Sequence, residues 1–150
     1  MKKFDVSKYE DPKQKDIDMS KTRRNISVFL KAYQSSRTRV GVPGELINKS
    51  DGSINSLTSD LQDKNISEAA KQEFIELHDF FVAGFSAIQH YKTMKISQRN
   101  KKIFFYRFIK GMTIEETARL IQYSNDTVNQ ESAKVIIQFA SGAGLLEYKK

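Results

Sequence analysis

The residues best equipped for recognition chemistry lie at Ser124, Asn125, Asp126, Asn129, Gln130 and Ala133. Asn and Gln amides donate and accept at once and can pair bidentately with adenine. An Asp carboxylate can accept from cytosine N4, and an Ala methyl can touch that of thymine. This is chemistry for reading base edges. It requires one side of a helix, held firmly by neighbours that do not themselves read.

Residues 98–139 are patterned to supply such a support. Three apolar-periodic segments are separated by Gly111-Met112-Thr113 and Tyr123-Ser124, and each break ends on a hydroxyl residue. A hydroxyl just before a helix accepts from an unpaired backbone N–H of the first turn. Thr113 and Glu116 have capping-box spacing, and Ser124 can cap the next helix. Two capped starts eleven residues apart leave room for one short helix, a tight turn and a second helix. Ala118 suits a close helix crossing. Leu120, Ile121, Val128, Val135, Ile136 and Phe139 form an apolar surface opposed by Ile103, Phe104, Phe108 and Tyr106. The spacing predicts a helix-turn-helix unit, and on that pattern the six residues above face a DNA major groove.

The reading segment is poor in positive charge, and Asp126 and Glu131 oppose phosphate. Affinity must then come from elsewhere. The candidates for phosphate are Arg99, Lys101, Lys102, Arg107, Lys110, Arg119 and Lys134, with the Thr113 hydroxyl. Phosphate contacts position a protein, whereas base contacts specify. For each cation the alternative is a solvated surface charge.

Catalysis is not expected. His78 and His90 are twelve residues apart and do not share a helix face, so no paired metal site is anticipated. His78-Asp79 has no nucleophile marked beside it and reads as a solvent-facing or core-edge pair. Gly142-Ala143-Gly144 is too short for a phosphate-cradling loop. Glu115 and Glu116 point to different sides of a helix and suit its N-terminal dipole. Neither cofactor nor metal is implied.

The 150 residues carry a formal charge of +7, which favours a polyanionic partner. A chain of this length forms one domain, or a domain with an arm, burying roughly 70% of its unfolded surface. There is no cysteine, hence no disulfide or thiolate site. No apolar run is long enough for a bilayer, and Met-Lys-Lys lacks a following apolar segment. A cytoplasmic location is expected, without membrane attachment.

Charge is uneven along the chain: residues 1–65 carry net +4, residues 66–94 net −2 and residues 95–150 net +5. Residues 1–19 mix Lys and Asp with few apolar groups and read as a mobile tail. A basic amphipathic helix is expected within 20–40, capped by Ser20 and running to about Tyr33, with Ile26, Phe29, Leu30 and Tyr33 on one face. Its cations, including Arg23, Arg24, Arg37 and Arg39, offer a second contact to DNA or simply a solvated face. Residues 41–65, rich in Gly, Ser, Asn and Asp, read as a polar connector separating that helix from the body. Residues 66–150 are expected to form the helical DNA-binding domain. Within it Phe74, Leu77, Phe81, Phe85, Ile88 and Tyr91 predict an amphipathic helix ending near Met94. Its aromatic stripe suits a core or a dimer interface.

Residues 103–128 resemble sigma-factor region 4 through I-F-F-Y-R-F-I-K-G-M-T, E-E-T-A-R-L and Y-S-N-D-T-V. The whole chain is similar to the ArpU family of phage and prophage transcriptional regulators, relatives of the RinA-type late activators. Length, a basic N-terminal helix, a polar connector, a central helix and the Gly-Leu-Leu-Glu-Tyr-Lys-Lys end carry that likeness. The resemblance implies an all-α fold with a C-terminal tri-helical unit and a nucleoid-associated regulator in a bacterial host cell. Two positions depart from the pattern. Gln122 stands where the family usually has Gly, and Ser132 where a large apolar residue is usual, so the last helix is expected to pack more loosely or to be rotated slightly.

Three functions follow. The first is a sequence-specific regulator binding double-stranded DNA as a monomer or homodimer, a phage or prophage late-gene activator as the resemblance implies. The second is a phage DNA-packaging recognition subunit, which would assemble into a large ring. The third is a helical module docking on RNA polymerase.

Overall fold

A computed structural model describes residues 1–42, 46–48, 51–54 and 65–150. The chain is all-α, as expected. Five α-helices are described: α1 (Met19–Arg39), α2 (Glu68–Ser86), α3 (Met94–Phe104), α4 (Ile114–Ile121) and α5 (Asn125–Ala143). Among the described residues no helix is long and apolar enough to cross a membrane.

Each helix begins where a short polar side chain can hold its first turn. Asp18, Ser67, Thr93, Thr113 and Ser124 accept from Lys21, Ala70, Ile96, Glu116 and Thr127 backbone N–H groups respectively. Asp18, two residues before Ser20, is therefore the cap of α1, and the helix runs to Arg39.

The core is aromatic and lies between α1, α2, α3 and α5. Phe29, Tyr33, Phe74, Phe81, Phe85, Phe104 and Phe139 are buried in it. Phe104 stacks on Phe139 with centroids 4.3 Å apart, and Tyr33 on Phe81 at 4.8 Å. Offset stacking at such distances adds to the stabilisation from area alone. The aromatic stripe of α2 is thus consumed within the chain. Helices α2 and α5 approach closely at Gly84 and Gly142. A Cβ on Gly142 would sit 2.5 Å from the Ala83 carbonyl oxygen, and one on Gly84 2.8 Å from the Phe139 ring.

Helix α3 does not end regularly. It widens into a π-type turn over Phe105–Ile109, closed by the Lys110 N–H on the Phe105 carbonyl at 2.9 Å. Ile103, Phe104 and Phe105 are all buried. Three consecutive side chains fan over about 200° of a helix, so this end of α3 is enclosed on several sides.

Several boundaries differ from the sequence expectation. Helix α2 stops at Ser86, short of Met94, and Thr93 starts a separate helix. Ile88 remains in the core, but Tyr91 is exposed in the intervening loop. Residues 1–19 are not wholly a loose tail. Ile17 is buried and paired with Tyr148, and the Asp18 and Lys149 N–H groups donate to Glu147 and Asp16 carbonyls. The apolar Ile17 supplies the reason, because its side chain is buried where the backbone pairs with the C-terminal strip.

Part of the connector lies outside the described residues. What is described packs on the body: Leu46 and Ile47 are buried, Ile47 pairs with Ile54, and Gly52 lies against Gln98 and Lys101. Helix α1 packs on α2 and α5 through its apolar face. Leu120, expected in the inner surface, is exposed because the short α4 turns its inner face through Thr117 and Ala118.

Candidate functional site

The candidate site is built on α4, the turn after it and the first half of α5. The Thr113 hydroxyl accepts from the Glu116 N–H at 3.1 Å, and the Glu116 carboxylate accepts from the Thr113 N–H at 3.2 Å. This reciprocal box fixes the start of α4 and holds the exposed Glu116 carboxyl below its ordinary value, chiefly through the backbone N–H of Thr113. Gln122 ends the helix in the left-handed region at φ 61°, ψ 44°. The Tyr123 N–H then reaches back to the Ala118 carbonyl at 3.1 Å. That closure satisfies an end carbonyl of α4 and turns the chain sharply into α5. The turn is made by Gln122 without glycine, at a conformational cost of about 1 kcal/mol.

Helix α5 divides along its length. Val128, Ser132, Val135, Ile136 and Phe139 form the buried side. Asn125, Asp126, Asn129 and Gln130 are all exposed, and Ala133 is half-buried beside them. Ser124 is exposed, yet its hydroxyl is occupied in capping and lies 2.9 Å from the Thr127 hydroxyl.

Ser132 does not leave a void. Its hydroxyl donates to the Val128 carbonyl at 2.6 Å and accepts from the Arg107 guanidinium at 2.8 Å. A guanidinium from the wide turn is therefore bonded at the position where a larger apolar residue is usual, and it ties α5 to the end of α3.

A second tie lies nearer the exposed polar side of α5. The Arg99 guanidinium is 3.1 Å from the Glu131 carboxylate, and its Nε donates to the Asn100 side-chain carbonyl at 3.0 Å. The same guanidinium lies 5.3 Å from the centroid of the Tyr123 ring. Helix α3, the turn and α5 are thus clamped together by one cation.

The remaining basic residues separate. Lys95, Gln98, Arg99 and Lys102 follow one another at helical spacing along α3 and face Ile121, Gln122 and Tyr123 across a groove of about 500 Å³. Lys102 sits close enough to Asp51 to help hold that carboxyl below its ordinary value, after the Ser53 hydrogen bonds. Lys101 instead lies 5.9 Å from the Phe85 ring, and Lys110 5.5 Å from that of Phe105. Arg107 is turned inward, and burial lowers its tendency to hold a proton. Arg119 is exposed on α4. Lys134 is exposed and borders another groove with Asp11, Gln89 and Tyr91. On α1, Arg23 and Arg24 lie near the start, whereas Arg39 is 3.4 Å from Glu73 of α2 near the other end. Lys95, Gln98 and Tyr123 are absent from the sequence-based set. The seven-residue step from Lys95 to Lys102 was the signal for that face.

The histidines are separate from this arrangement. Tyr33 Oη lies 2.7 Å from His78 Nδ1, and His90 Nδ1 accepts from the Lys92 N–H. No protein-family model, curated protein or solved structure matches the chain.

Proposed function

We propose that the chain is a sequence-specific DNA-binding regulator of transcription, not an enzyme, in which α4 and α5 act as a helix-turn-helix. The observation that carries this reading is the exposed polar face of Asn125, Asp126, Asn129 and Gln130. It stands on a helix whose opposite side is locked into the core. An α-helix with its side chains is roughly 10–12 Å across, which suits insertion into a major groove roughly 12 Å wide.

The cations then divide by role. Lys95 and Lys102 border the groove beside the turn and are suited to the phosphates flanking the bases read by α5. Arg119 and Lys110 supply further positive charge. Arg99 and Arg107 act as internal ties. The late-gene activator role belongs to the ArpU resemblance and is part of the same proposal.

Titration of a labelled duplex at several salt concentrations tests the phosphate assignment. Lys95→Ala with Lys102→Ala should weaken binding to all sequences alike and reduce the salt slope by about two. An unchanged slope removes α3 from the interface.

A further inference from the structure

A groove of about 480 Å³ runs between α1 and the wide turn that ends α3, distinct from the α5 reading face. Its floor is apolar: Ile26, Leu30 and Ile136 are buried, and Phe108 and Ile109 are half-buried. Its rim is cationic, with Arg23 and Lys31 on α1 and Arg107 opposite, and no acidic side chain lines it. The α1 wall extends from Arg23 to Ser35, about 18 Å or three helical turns.

Arg107 is the informative member. One end of its guanidinium donates to Ser132, while its buried Nε has no hydrogen-bond partner. Burial and then the neighbouring charge of Arg23 both disfavour its protonated form. Arg23 and Arg107 therefore repel each other across a groove that also bears Lys31 and is lined by no carboxylate, a situation that an incoming anion relieves.

The chemistry of the occupant follows from the two parts. The floor favours branched aliphatic or aromatic side chains. The rim favours carboxylates, and a guanidinium presents a planar fork suited to them. Arg23 and Lys31 lie about 12 Å apart along α1, slightly more than two helical turns. A nucleic-acid backbone would answer the cations but leave the apolar floor wet.

We propose that this groove docks an amphipathic helical segment of a protein partner, with an apolar stripe flanked by acidic residues about two turns apart. Helix-in-groove recognition of this kind takes its affinity from the apolar stripe and its specificity from the flanking charges. The site is independent of base reading by α5.

The test uses the whole chain, isotopically labelled, and a designed helical peptide of about 15 residues with leucines on one face and two glutamates two turns apart. A glutamine twin of that peptide serves as control. The glutamate peptide should shift the amides of the Arg23–Ser35 wall and of Arg107–Ile109 saturably. Affinity should fall about tenfold for the twin, and by a similar factor in Arg23→Gln with Lys31→Gln, two exposed positions outside the core. Asn129→Ala with Gln130→Ala should leave peptide binding unchanged. Absence of shifts at millimolar peptide overturns the proposal. So does equal affinity for the two peptides, or a DNA duplex that shifts these amides when the peptide does not.

Discussion

The guanidinium of Arg99 lies 3.1 Å from the carboxylate of Glu131 and joins α3 to α5 beneath the exposed polar face. Their side chains are 14% and 25% exposed, so the pair is only lightly screened by solvent. Of the two acids on α5 that would repel phosphate, Glu131 is neutralised within the protein while Asp126 stays exposed, and one cation is drawn into the pair. Glu131→Gln should destabilise the fold by about 1–3 kcal/mol, because it leaves a partly buried guanidinium without its counter-charge. Urea denaturation of both single variants and the double Arg99→Gln, Glu131→Gln checks this. Additive effects would mean that the two residues do not act as a pair.

The contact of Arg107 with Ser132 leads to a related expectation. Ser132→Ala removes the acceptor at 2.8 Å and should cost about 1–2 kcal/mol in chemical denaturation. Stability equal to that of the parent chain would show that Arg107 does not depend on this hydroxyl.

Gln122 holds the turn between α4 and α5 in a left-handed conformation that glycine adopts without a Cβ clash. Gln122→Gly should raise stability by up to about 1 kcal/mol, with some of the gain lost to a more flexible unfolded chain. A lower melting temperature would mean that the glutamine side chain stabilises the turn by more than its strain costs.

Burial lowers the pKa of His78 from the ordinary value of 6.5, opposed by Asp79 and assisted by Arg37. Burial also pushes the Tyr33 hydroxyl that faces it up to about 12. Because the folded imidazole binds its proton less readily than the unfolded one, its contribution is fully present above pH 6.5. That contribution is lost as pH falls from 6.5 through the lower folded value. The stability difference between the parent chain and His78→Gln should therefore shrink over that window. A difference that is flat from pH 7.5 to below 6 would place His78 in an environment like that of the unfolded chain.

Much of the local architecture was legible because it rests on short-range chemistry. Thr113, Glu116 and Ser124 announced two helix starts through side-chain oxygens at fixed spacing, and Ala118 announced the buried side of α4. The apolar face of α1 was plain from Ile26, Phe29, Leu30 and Tyr33. Other features depended on contacts between distant segments. Nothing local to Ile17 shows that it pairs with Tyr148, or that Gly52 meets α3. The α2 helix was overextended because Ile88 and Tyr91 continue the spacing past Ser86, although only Ile88 returns to the core. Among the cations, composition cannot separate a surface charge from a tie. Arg99 and Arg107 look like their neighbours in the sequence, and only the positions of Glu131 and Ser132 set them apart.

Selection of bound fragments from randomised duplex DNA, run in parallel on the parent chain and on Asn129→Ala with Gln130→Ala, tests the central claim most directly. Both residues are exposed, so the variant is expected to fold. The account predicts a defined motif for the parent chain and a relaxed one for the variant, with non-specific affinity preserved. No enriched motif for the parent, or the same motif from both proteins, would contradict base reading by α5.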